Sequence, residues 1–184
     1  MGILIAGIFS FCMLMNITNN PPKPFKTAHI NQDSIYWELY KKRANIYLKR
    51  FPKSPITGTI LKDCAMSIYD KYDLIIPVEF ALAQAQMESG MGLKGRSPKN
   101  NPCNLGEYSD KTVLRYKTTE EGMLAYYKLI AKNYLDSGNR TLKDLFYKFV
   151  DKNGYKYAAS PTYGARVGAQ YKFIIKWINI ELDK

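Results

Sequence analysis

The sequence predicts a mainly α-helical domain carrying one short β-hairpin, and three observations predict it. Residues 77–92 form a run of small and apolar residues, with Pro77 at the first helical position and Gly90 and Gly92 able to stop it. Thr118 stands three residues before Glu121, the spacing of a capping box, and Thr141 opens a further helix. Strand-like alternation is confined to residues 104–116, where it is weak and turns near Ser109-Asp110. A chain of 184 residues suits one domain with a sizeable core. It shows no internal repeat and no low-complexity segment.

The elements follow in order. Residues 1–15 read as a hydrophobic leader or anchor, because residues 2–15 are apolar apart from Ser10. That stretch is short for a membrane span and fits a secretory h-region. It lacks a basic n-region and a small-x-small cleavage site, and Phe11-Cys12 makes a poor lipoprotein site. Export or membrane tethering is expected, with an anchor inside a larger assembly such as a phage particle as the alternative. Residues 16–31, with Pro21, Pro22 and Pro24, read as an extended linker. The domain proper spans 32–184. Asp33 is expected to cap a helix running to about Arg50, with Ile35, Leu39, Ile46 and Tyr47 facing the core, until Pro52 and Pro55 break it. A second helix spans about 59–72, with Ile60, Leu61, Cys64, Ala65 and Ile68 inward. The helix from Pro77 follows, then a polar loop at 96–101, the hairpin, a helix from Thr118 to about Leu135, a shorter helix ended by Gly154, and a last helix over 163–182.

Composition limits the chemistry. With 27 basic and 16 acidic residues the net charge is +11. Such a surface favours polyanions: nucleic acid, an anionic cell-wall polymer or a membrane surface. Nucleic acid is disfavoured as the main partner, since there is no Arg-rich tail, zinc-finger spacing or RNA-binding signature. The basic clusters Lys41-Lys42-Arg43 and Lys49-Arg50 read as a solvated helix face. Three cysteines and one histidine, His29 in the linker, supply no metal site and no His-based triad, so no cofactor is expected. Cys64 and Cys103 are expected as buried thiols, with pairing open to an exported domain.

The chemistry points to Glu88. No other charge lies between Glu79 and Lys94, so this carboxyl sits in the last turn of an otherwise apolar helix. The negative end of the helix dipole and apolar neighbours both disfavour the anion and raise its pKa. A carboxyl that keeps its proton near neutral pH is what a general acid needs.

Residues 83–90, Ala-Gln-Ala-Gln-Met-Glu-Ser-Gly, resemble the catalytic helix of peptidoglycan hydrolases with a lysozyme-like fold, closest to the glucosaminidases of glycoside hydrolase family 73. Three more segments match in order. Asn100-Asn101-Pro102-Cys103-Asn104-Leu105 resembles the Asn-Asn-x-Phe-Gly-Ile stretch after that helix. Residues 116–122 resemble the start of the next helix. Residues 157–163 resemble the motif Tyr-Ala-Thr-Asp-Pro-x-Tyr. The match covers roughly residues 60–180. It implies an α+β lysozyme-like fold, mainly helical, with the hairpin beside an active-site cleft. It further implies an endo-β-N-acetylglucosaminidase acting on the peptidoglycan glycan strand outside the cytoplasm, as autolysin or phage lysin. In that scheme Glu88 is the general acid. Glu107 is first choice for the second carboxylate, Asp110 second and Glu120 third. The hairpin is shorter than in the family, which leaves the choice open. Tyr157 and Tyr163 match aromatics lining the cleft. Asn101 and Asn104 either hold the loop or contact glycan. A lytic transglycosylase or muramidase acting on the same strand is an alternative. So is a non-catalytic wall-binding or structural module of a virion or secretion assembly.

Overall fold

Small side chains explain the centre of this molecule. Its structure, a computed structural model, describes residues 30–94, 100–107 and 112–184, without the side chains of 30–33, 107, 112 and 113. The expected leader, almost all of the linker, most of the polar loop and the hairpin turn therefore lie outside the described residues. Helix α3 (Val78–Ser89) is buried on nearly every side, from Val78 through Ala85 and again at Ser89. A helix that is apolar all round belongs in a core. Its alanines let α1 (Ile30–Leu48), α2 (Gly58–Tyr72) and α6 (Tyr163–Leu182) pack against it. Pro77 is its N-cap, one position earlier than expected. Gly90 ends it in the left-handed region (φ 56°), which glycine adopts without penalty.

α2 matches the sequence pattern, with Ile60, Leu61, Cys64, Ala65 and Ile68 all buried and the Thr57 hydroxyl capping Ile60 N–H. α1 does not. It starts at Ile30, so Asp33 is its fourth residue and not its cap. Its buried stripe is Trp37, Tyr40, Ala44, Tyr47 and Leu48, whereas Ile35 and Leu39 are exposed. Two residues along a helix turn the side chain by about 200°, so once Trp37 faces inward its neighbours at 35 and 39 face out. Aromatic bulk set the phase. The Tyr40 hydroxyl donates to the Ile76 carbonyl (2.9 Å) and meets the Tyr127 hydroxyl (2.8 Å).

The basic clusters of α1 are also more than a solvated face. Arg43 Nε donates to Glu79 Oε1 at 2.5 Å, pairing a carboxylate that would be costly to bury alone. Arg50, just past the helix, packs on aromatic rings.

Two short strands, β1 (Gly106–Glu107) and β2 (Thr112–Val113), pair antiparallel with Glu107 opposite Thr112. Helix α4 (Thr119–Leu129) is capped by the Thr118 hydroxyl. Glu121 reaches back to the Lys117 N–H, one residue before a standard capping box. A π-helical turn, Ile130–Tyr134, carries the chain on to Leu135. α5 (Leu142–Tyr147) has the full capping box between Thr141 and Asp144. It stops at Lys148, which is extended (φ −146°, ψ 104°), well before Gly154; a separate turn follows, in which Asp151 Oδ1 accepts from the Asn153 and Tyr155 N–H groups. Cys64 and Cys103 are buried free thiols. Among the described residues no helix is long and apolar enough to cross a membrane.

Candidate active site

Glu88 opens onto a cleft of about 510 Å³, lined also by Phe51, Gln86, Met87, Leu93 and Lys94. Its carboxyl is half-buried at the C-terminal end of α3. Burial pushes its pKa up, opposed by hydrogen bonds from the Tyr163 and Asn104 side chains and by the positive charge of Arg166.

Three helices fix the orientation of this acid. The Tyr126 hydroxyl on α4 donates to Gln84 Oε1 (2.6 Å), which aims the amide Nε2 at the Tyr163 hydroxyl (3.1 Å). Tyr163, at the start of α6, therefore accepts from Gln84 and donates to Glu88 Oε1 (2.5 Å). Gln84, Tyr126 and Tyr163 are buried, so water does not compete along this chain.

The loop after α3 supplies the other side. Ser89 Oγ donates to the Pro102 carbonyl (2.5 Å) and accepts from Gly92 N–H (2.7 Å), clamping the loop to the helix end. Asn101 is wholly buried. Its Nδ2 donates to the Leu105 and Leu114 carbonyls, and its Oδ1 accepts from Leu105 N–H. All its amide capacity goes to joining the loop to the strand pair, so it faces away from any ligand. Asn104 adopts φ 52°, a left-handed conformation that asparagine tolerates, and so turns its side chain to Glu88. At Gly122 a Cβ would overlap the Asn100 carbonyl, so α4 lies directly against this loop.

The two tyrosines part company. Tyr163 bonds to the acid. Tyr157 is buried behind it, donating to the Cys103 carbonyl (2.9 Å) and stacking on Tyr163 with ring centroids 5.4 Å apart. It packs the wall of the site and does not present its hydroxyl to the cleft. Glu120 lines a different hollow of about 380 Å³, with Asp63, Cys64 and Glu121, because α4 packs against α2 there. The Glu107 backbone lies in β1, while its side chain, like all of Asp110, lies outside the described residues.

Sequence reasoning missed Gln84, Tyr126 and Arg166. Gln84 had a signal: it is four residues before Glu88, and so on the same helix face. Arg166 stands three residues after Tyr163, within one turn of the acid's hydrogen-bond partner. Tyr126 is one of 15 tyrosines and carried no distinguishing pattern. No protein-family model matches the chain, and no curated protein matches it.

Proposed function

We propose that this chain is a lysozyme-like peptidoglycan hydrolase, with Glu88 as its general acid. The observation that carries the reading is a half-buried carboxyl, raised in pKa, held by fixed donors at the floor of an open cleft. Buried acids with aimed partners in a cleft are the pattern of general acid catalysis. The motif resemblance to family 73 glucosaminidases selects the substrate. It makes the β-1,4 bond between N-acetylglucosamine and N-acetylmuramic acid the target, outside the cytoplasm.

In this reading Glu88 protonates the leaving glycosidic oxygen while Tyr163 holds its Oε1. As the carboxyl becomes an anion, Tyr163, Asn104 and Arg166 all favour the charge that forms. The oxocarbenium-like centre then needs a second group. Glu107 is the proposed carboxylate, with the substrate's own N-acetyl group as the other route.

The test is Glu88→Gln, which keeps shape and loses the proton. Removing a general acid typically costs about 10²–10⁴ in rate. Clearing of a peptidoglycan zymogram should vanish. Clearing equal to the parent's would exclude Glu88 as the acid.

A further inference from the structure

One cation near the cleft has an arrangement that charge pairing within the protein leaves unexplained. The Arg50 guanidinium carbon lies 4.5 Å from the Trp177 ring centroid, 5.1 Å from Tyr47, 5.4 Å from Phe173 and 5.8 Å from Phe51. Phe51 also lines the cleft of Glu88. Arg50 does not itself line that cleft; the Phe51 ring, which does, lies against its guanidinium.

Its orientation is fixed. One terminal nitrogen donates to the Tyr47 hydroxyl (3.1 Å). That hydroxyl donates to Gln86 Oε1 (2.5 Å) and accepts from Gln170 Nε2 (3.2 Å), which also donates to Gln86 Oε1 (3.0 Å). Rings cover the faces of the guanidinium, while its edges carry the donors. Among the described residues no carboxylate pairs with Arg50, although the chain is exposed there. A planar cation with covered faces and open edges is preorganised for a carboxylate, which it can grip through two parallel hydrogen bonds. Lys94 in the cleft lining and Arg166 beside Glu88 give the surroundings the same sign.

We propose that Arg50, on its shelf of Trp177, Tyr47, Phe173 and Phe51, binds a carboxylate carried by the glycan strand in the Glu88 cleft. The carboxylate belongs to a peptide substituent of the strand. The inference rests on the proposed peptidoglycan activity and extends it to substrate selection: neutral glycans lose this contact.

The experiment measures KM and kcat of the full chain, of Arg50→Gln and of Arg50→Lys. The substrates are solubilised peptidoglycan stripped of phosphate polymers and the same material with its carboxylates converted to amides. For the parent, amidation should raise KM about tenfold, the scale of a hydrogen bond to a charged group, with the change in KM and not in kcat. Arg50→Gln should show the high KM on both substrates. Arg50→Lys, which keeps charge without the planar fork, should retain part of the preference. If Arg50→Gln weakens action on both substrates by the same factor, or the parent ignores amidation, Arg50 only clamps helices and the proposal is wrong. If Arg50→Gln does not fold, a reduced preference in a folded Arg50→Lys supports the proposal, and a full preference there overturns it. A parent that cleaves neither substrate refutes the peptidoglycan activity itself, a result separate from either of these.

Discussion

Glu88 carries a stability cost that its proposed role explains. Burial raises its folded pKa, so the native state holds this proton to a higher pH than the unfolded chain does. Between the unfolded and folded pKa values the native state binds more protons, and stability falls as pH rises through that window. Glu88→Gln should therefore melt at or above the parent temperature at neutral pH while losing activity. A clear drop in melting temperature, read by circular dichroism, would make Glu88 a structural residue. Arg166 supplies a second test. Its charge favours the Glu88 anion and so lowers that pKa. Arg166→Gln should move the alkaline limb of the kcat/KM profile to higher pH, because Glu88 then keeps its proton longer. An unmoved limb would separate Arg166 from the acid. At this scale the sequence singled out Glu88, since a lone carboxyl in an apolar run stands out, and motif resemblance singled out Tyr163 and Asn104, which bond to it. It did not show Gln84 and Tyr126 behind Tyr163. Gln84, Tyr126 and Tyr163 come from three helices, and only packing brings them together.

Elements were legible where one apolar periodicity dominated. α2 and α6 have the extents their patterns imply, and in α2 the expected inward residues are the buried ones. α1 was misread because aliphatic and aromatic residues compete for the inward face, and burying Trp37, Tyr40 and Tyr47 removes more apolar area from water. α5 was drawn too long because Gly154 was taken as the stop. The helix ends at Tyr147, and Gly154 belongs to a later turn built on Asp151. The contact of α4 with the loop at Asn100 was invisible in the sequence and is testable. At Gly122→Ala the new methyl meets the Asn100 carbonyl, which is backbone and yields poorly. Overpacking of this kind costs roughly 1–3 kcal/mol. The displaced loop also carries Asn104, so activity should fall beyond what the lost stability explains. Urea denaturation together with initial rates on peptidoglycan checks this. A variant as stable and as active as the parent would show that loop and helix separate freely.

For the whole molecule, helices α1 to α6 all contribute to one core, running from Trp37 in α1 to Ile178 in α6. Residues 30–184 should therefore fold alone, soluble and helical, with one cooperative urea transition. An insoluble or molten product would show that the first 29 residues complete the core. α1 begins at Ile30, two residues inside the stretch that the prolines mark as a linker. The +11 charge was readable, but its meaning was not. Among the described residues its cations include Arg43 in an ion pair with buried Glu79, Arg50 stacked on rings and Arg166 near Glu88. The measurement that bears most directly on the central claim is mass spectrometry of the products released from purified peptidoglycan by residues 30–184, beside the same chain carrying Glu88→Gln. The account predicts glycan fragments ending in reducing N-acetylglucosamine from the parent and none from the variant. Anhydro-sugar ends would keep Glu88 as the acid and replace hydrolysis with transglycosylation. No fragments from a folded parent, or equal release by the variant, would contradict the account.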